Sequence, residues 1–214
     1  MIIAIDGGVA TGKSAVGRRV AEALGLPFVD SGLMYRAIAY LVAESKVDPG
    51  DGGALARLAH SVKLKVDGQR VWADGQELTD RVYDPALNPL LSKVSKIAGV
   101  RLALVAQQRA LGRGGVVMAG RDIGTVVFPD ADFKFFLTAS LEERVRRRAK
   151  QFEARGEPFD ADAMAKEVAE RDRVDSERTV APLRPADDAI IIDTENRDID
   201  QTVAEVLKII PERS

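Results

Sequence analysis

The stretch Ile2-Ile-Ala-Ile-Asp6-Gly7-Gly-Val-Ala-Thr-Gly12-Lys13-Ser14 changes its pattern twice, and the fold follows from where it does so. Residues 2–5 form an apolar run that empties into paired glycines, the pattern of a buried strand entering a tight turn. From Lys13 the period becomes helical: Val16, Val20, Ala23 and Leu24 recur on one side, Gly25 supplies a C-terminal stop, and Pro27 cannot continue the helix. Gly7 to Ser14 therefore satisfies G-x-x-x-x-G-K-[ST] in its required setting, strand before and helix after. Glycines let the backbone wrap with its N–H groups inward, and the helix N-terminus adds positive potential, so the loop holds phosphate oxygens. Lys13 then reaches the β- and γ-oxygens, and the Ser14 hydroxyl ligates Mg²⁺. The expectation is a nucleoside triphosphate cradled by Gly7, Gly8, Val9, Ala10, Thr11, Gly12, Lys13, Ser14 and Ala15. The competing reading is a glycine-rich turn with a solvated lysine, and the motif names no acceptor.

Working outward, residues 28–29, 116–119, 133–137 and 189–193 read as further strands, each rich in branched or aromatic residues. Amphipathic helices separate them: one carries Met34, Ile38, Leu41 and Val42, a long one spans about residues 92–111, and another opens at Ser140-Leu-Glu-Glu143 with reciprocal capping spacing. A last helix from about Asp198 aligns Val203, Val206, Leu207 and Ile210. Apolar strands alternating with helices predict a parallel sheet covered on both faces, with ligands at the carboxyl ends of the strands. Asp67-Gly68 and Asp74-Gly75 punctuate three short segments with hairpin chemistry, so residues 61–82 read as a small antiparallel insert. Glycines 50, 52 and 53 before it read as a flexible approach or a surface loop.

Composition narrows the chemistry. With 46% hydrophobic and 30% charged residues, the 214-residue chain is a globular protein of one domain, able to build a core without staples. No cysteine and a single histidine, His60, exclude a disulfide scaffold, thiolate metal sites, a cysteine nucleophile and a multi-histidine metal centre. Thirty-one basic residues against thirty-three acidic ones leave no overall field to draw nucleic acid or an anionic membrane. No apolar run of about 18 residues and no signal peptide is visible, so a cytoplasmic location and a monomer are expected.

Asp30-Ser-Gly-Leu-Met-Tyr35-Arg36, Gly120-Arg-Asp-Ile-Gly-Thr-Val-Val-Phe-Pro129, Glu170-Arg-Asp172 and Val180-Ala-Pro-Leu183 resemble the signatures of the bacterial cytidylate kinases. The blocks run in the family's order over nearly the whole chain. The resemblance implies a nucleoside monophosphate kinase: one P-loop domain over residues 1–214, a five-stranded parallel core, the insert at 61–82 in the monophosphate-binding region and a lid at 147–163. It implies ATP as phosphoryl donor, Mg²⁺, and CMP or dCMP as acceptor. Two departures from the family are a glycine at position 8, where proline is common, and Thr11, where a smaller residue is usual, so loop rigidity is expected to differ.

By the same resemblance, Ser31, Tyr35, Arg36 and Arg121 line the acceptor pocket, with the two arginines on its phosphate. Fork-shaped cations suit a dianion. Ser92, Arg101 and Asp122 occupy the positions that read cytosine, and a hydroxyl, a guanidinium and a carboxylate can pair with its amino group, ring nitrogen and carbonyl. Ser92 alone also reads as a helix-start residue, and Asn88-Pro89 interrupts the approach to it. Arg171, Asp175 and Arg178 fall along one helical face, which spacing alone assigns to a solvated ion-pair ladder and the resemblance assigns to the substrate's sugar and phosphate. The run Arg144, Arg146, Arg147, Arg148 and Lys150 is a solvated face or a lid delivering cations to the transferring group. Arg147 and Arg148 best match the family's pair, so Lys13, Arg121, Arg147 and Arg148 are the expected catalytic set.

The acceptor phosphate has a second pKa near 6 and is itself the nucleophile, so no general base is needed and His60 is incidental. No strand ends in an evident metal-binding acid, leaving Mg²⁺ to Ser14, phosphates and water. Another P-loop kinase, for UMP, shikimate or dephospho-coenzyme A, would share the phosphate loop without the 120–129 block. A nucleotide-sensing switch would leave the arginine-rich second site unexplained.

Overall fold

β1 (Ile2–Gly7) runs through the middle of a five-stranded sheet with β6 (Val116–Gly120) on one side and β7 (Phe133–Thr138) on the other. β2 (Phe28–Asp30) and β8 (Ile190–Asp193) form the edges, giving the order β2-β6-β1-β7-β8 with every pairing parallel. The structure is a computed structural model, described over residues 1–211. Strand alternation divides the core in two. Ile3 and Ile5 join Val117, Ala119 and Phe135 under α1 (Lys13–Leu24) and α8 (Ile199–Ile209). Ala4 and Met118 face α2 (Ser31–Glu44) and α5 (Ala98–Leu111) on the other side. Burial on both faces is why these strands read as unbroken apolar runs.

The insert is a three-stranded antiparallel sheet, β3 (Leu64–Asp67), β4 (Arg70–Ala73) and β5 (Gln76–Glu77). Its first hairpin tip docks on the main sheet, where the Gly68 amide donates to the Phe28 carbonyl at 3.2 Å. Beyond β7, α6 (Leu141–Arg155) and α7 (Ala161–Glu177) form a hairpin. Gly156 turns it at φ +66°, a left-handed conformation suited to glycine, and Phe152 meets Phe159 edge-on at 5.5 Å.

Three local expectations are corrected. Of the glycines before the insert, Gly50 lies in an exposed turn, but Gly52 and Gly53 are not a loop: Asp51 accepts from the Ala54 amide and starts α3 (Gly52–Ser61), whose Leu55 and Ala59 are buried. The long helix over 92–111 is two helices, α4 (Asn88–Val94) and α5, separated at 95–97. Asn88-Pro89 is the start of α4, since proline in a first turn removes an amide that has no partner anyway. The break lets α5 pack closely on α3, where a Cβ on Gly99 would lie 2.6 Å from that of Ala56. The reciprocal cap at Ser140 is half formed: its hydroxyl accepts from the Glu143 amide, but the Glu143 carboxylate turns to Arg146 and Arg147, and the Ser140 amide donates to Glu195 instead. No helix among the described residues is long and apolar enough to cross a membrane.

Candidate active site

The carboxyl ends of β2, β6 and β1 finish flush, Asp30 beside Ala119 and Asp6 beside Gly120, so the loops that follow them converge. Gly7 and Gly12 take φ +149° and +95°, and Ala10 also lies in the left-handed region. A Cβ on Gly7 would sit 2.3 Å from the Leu137 carbonyl, so this position excludes other residues. The Thr11 hydroxyl donates to the Gly8 carbonyl at 3.1 Å, a brace internal to the loop. Lys13 donates to the same carbonyl at 2.5 Å. Burial, with Arg121 nearby, pushes its ammonium well below the ordinary lysine range, so an anion beside it would relieve a real cost.

A cleft of about 910 Å³ opens on this loop, lined among others by Thr11, Lys13, Ser14, Arg147, Thr194 and Arg197. Ser14 Oγ donates to Asp30 Oδ2 at 2.6 Å, while Asp30 Oδ1 caps α2 through the Gly32 amide. A hydroxyl and a carboxylate in contact are hard oxygen donors suited to Mg²⁺ beside phosphate and water. Asp30, at the end of β2, is the acid that sequence reading did not assign. Among the described residues no cluster of three metal-ligating side chains occurs.

On the acceptor side, Ser31 and Gly120 touch, a Cβ on the glycine falling 2.6 Å from Ser31 Oγ. Arg101 is 2% exposed and donates to Asp122 Oδ2 at 2.5 Å and to the Ser95 carbonyl, with its guanidinium 5.2 Å above the Tyr35 ring. Burial pushes the Tyr35 phenol up to about 12. Asp175 is fully buried among Arg121 (3.0 Å), Arg178 (3.2 Å) and Arg171 (3.5 Å). Burial alone would raise its carboxyl, but the three arginines outweigh that and hold it below the ordinary carboxylate range. Arg36 donates to the Val82 carbonyl, and burial together with the Arg171 charge lowers its guanidinium from the ordinary value. Five guanidiniums thus face two carboxylates, Asp122 and Asp175, leaving a local positive excess suited to a dianion. Three buried polar atoms here, Tyr35 Oη, Arg101 Nε and Arg178 Nη2, make no hydrogen bond within the protein.

Most of the expected set converges on this cleft, with two differences. Ser92 does not join Arg101 and Asp122; its hydroxyl accepts from Arg171 Nη1 at 3.0 Å. Arg147 and Arg148 do not act as a pair. Arg147 reaches Thr194 over the phosphate loop and is held by Glu143, whereas Arg148 donates to Gln151 and lies 5.8 Å from the Phe152 ring. Successive residues on a helix point about 100° apart, which separates them.

A contact absent from the expected set ties the α6–α7 hairpin to the loop. Asp172 Oδ1 accepts from the Val9 amide at 3.0 Å, and Arg144 bridges the Asp172 carboxylate and the Val9 carbonyl. Gly8 makes room, since a Cβ there would lie 3.1 Å from both side chains. Asp6, also unassigned from sequence, is 5% exposed; Oδ1 accepts from the Ile123 amide and Oδ2 from the Gly124 amide. Burial, opposed by those two amides, carries its carboxyl up to about 6.

A phosphate loop facing a second, arginine-built anion pocket across the ends of a parallel sheet defines a P-loop kinase. A shikimate kinase from Bacteroides thetaiotaomicron shares this fold, with a TM-score of 0.54 and 12% identity over 98% of each chain. The cytidylate kinase family model matches residues 3–212, and the chain belongs to that family, whose members are nucleoside monophosphate kinases. The cytidylate kinase of Geobacillus kaustophilus is 47% identical over 216 residues, which cover 99% of this chain and 96% of the relative. The bifunctional pantoate ligase/cytidylate kinase of Synechococcus sp. (strain JA-3-3Ab) is 42% identical over 224 residues, and the chain spans only 42% of that relative's length.

Proposed function

We propose that the chain transfers the γ-phosphoryl group of Mg·ATP to CMP or dCMP, giving ADP and CDP or dCDP. The observation that carries this reading is the buried excess of guanidinium charge opposite the phosphate loop, with a carboxylate and a guanidinium, Asp122 and Arg101, locked together in its floor. Gly7 to Ala15 cradle the donor phosphates, and Lys13 neutralises charge as the γ-phosphorus leaves the β,γ-bridging oxygen. Ser14 and Asp30 would hold Mg²⁺, which screens the phosphates. Arg36, Arg121 and Arg178 grip the acceptor phosphate, Ser31 and Tyr35 line its pocket, and Arg171 and Asp175 border the sugar. An acceptor oxygen, already ionised, forms the new bond to phosphorus, and the electron pair of the broken bond passes to ADP.

Asp122 and Arg101 select the base, and Ser92, held by Arg171 at 3.0 Å in this structure, joins them only on closure over the acceptor. An exocyclic amino group donates where uracil can only accept, so UMP would leave a buried partner unsatisfied. Residues 147–163 act as the lid, with Arg147 over the donor and Arg148 drawn in on closure. Both sites come from one chain, so a single copy suffices for transfer; the reading places the enzyme as a monomer in the cytoplasm, within pyrimidine nucleotide metabolism. A coupled ADP-release assay with Mg·ATP against CMP, dCMP, UMP, AMP and GMP tests the reading: CMP and dCMP should be strongly preferred. A UMP preference would overturn the base-reading roles, and acceptor-independent hydrolysis would overturn transfer itself.

A further inference from the structure

Asp6 stands at the end of β1 on the same strand face as Ala4, and therefore points toward the acceptor half of the core. Both its oxygens accept from consecutive amides, Ile123 at 2.9 Å and Gly124 at 2.7 Å. Those amides open the single π-helical turn Ile123–Val127, whose own N-cap residue is Asp122. Asp122 makes no side-chain cap hydrogen bond; its carboxylate is turned to Arg101 and lies 3.8 Å from Arg178. The orphan donors that a cap residue normally satisfies are thus served from another strand. The far end of the segment is fastened too. Lys134 of β7 donates to the Pro129 carbonyl and pairs with Asp188 at 2.7 Å, and its stem passes 3.2 Å from where a Gly124 Cβ would lie, with Asp6 Oδ2 at 3.4 Å.

We infer that Asp6 is a positioning residue that caps the 123–127 turn in place of Asp122, freeing the Asp122 carboxylate to face the acceptor pocket. The inference deepens the acceptor-site reading above and rests on it for its ligand. In Asp6→Asn the side-chain amide would present a donor to one of two donors, the turn would lose a cap, and Asp122 would be drawn back toward its own amides. Acceptor binding then suffers more than donor binding, because both hydrogen bonds of the Asp6 side chain go to the 123 and 124 amides and it reaches the donor cradle only through its charge near Lys13.

Isothermal titration on the full chain at neutral pH should show CMP binding weakened tenfold or more in Asp6→Asn, with ADP affinity changed less than twofold. Hydrogen exchange should rise at the amides of 123 and 124 and not at those of residues 8–14. Equal losses for CMP and ADP, or unchanged CMP affinity in the folded variant, would overturn the inference. Should Asp6→Asn not fold, Gly124→Ala, whose Cβ crowds Asp6 and Lys134, carries the same expectation of a selective CMP loss. A wild-type chain that fails to bind CMP would sink the acceptor reading instead, and exchange at 123 and 124 would still decide whether Asp6 caps the turn.

Discussion

Replacing Asp175 with asparagine leaves three guanidiniums converging on a neutral amide in a place water does not reach. The carboxylate is fully buried, with Arg121 at 3.0 Å, Arg178 at 3.2 Å and Arg171 at 3.5 Å. The pair energies do not add, because each cation has also given up hydration, but removing one partner of a buried ion pair costs about 3–5 kcal/mol. Set against a total stability of roughly 5–15 kcal/mol, the variant keeps its fold with little in reserve. At about 2–4 °C per kcal/mol for a chain of this size, the melting temperature should fall by roughly 6–20 °C. The pH dependence has a definite sign. The folded carboxyl lies below the ordinary carboxylate value, so its contribution is present at neutral pH and is lost only as pH falls through that lower folded value. Calorimetry on both proteins should therefore show a gap that persists from pH 8 to pH 5 and narrows only in stronger acid. A fall of less than about 2 °C at pH 7 would refute the premise that Asp175 neutralises the cluster.

Lys13→Met should abolish measurable transfer, a loss of about 10² or more, while raising the melting temperature. Its ammonium is buried and held below the ordinary lysine range, so it costs stability at every pH below the ordinary lysine value, neutral pH included; a lower melting temperature would contradict this. Asp172→Ala should tighten ATP binding at least twofold by removing a carboxylate from the Val9 amide, whereas Arg144→Ala should weaken it; calorimetric changes of the same sign would count against the contact's electrostatic meaning. Asp6 has the opposite pH sign to Asp175. Its carboxyl is raised from 3.8 to about 6, so the folded state takes up a proton first, and stability from this group rises as pH falls through that window, by about 3 kcal/mol in all. Urea unfolding of wild type relative to Asp6→Asn should shift in favour of wild type between pH 7 and pH 5, and a flat difference would argue against the burial.

Local patterns carried the fold well and the site in part. The strands were legible because both faces of a parallel sheet are buried, and the phosphate loop because its conformation demands its residues within eight consecutive positions. The break between α4 and α5 was not, since nothing in residues 92–111 reveals that Gly99 must approach Ala56 of another helix. The glycines of α3 concealed a helix whose signal was the preceding Asp51 cap. The acidic residues were hardest. Asp6 and the amide of Ile123 are 117 residues apart, and Asp172 and that of Val9 are 163 apart, so their partners exist only once the sheet has assembled. Side-chain direction separated Arg147 from Arg148, which adjacency in sequence had joined.

Every role assigned to the two sites requires that phosphate move from one nucleotide to another across them. ATP labelled at the γ-phosphate, incubated with Mg²⁺, CMP and the enzyme, tests it directly when the products are separated. The label should appear in CDP, with no more than background as inorganic phosphate, and Arg121→Ala should lose it. Label released as inorganic phosphate regardless of CMP would contradict the account.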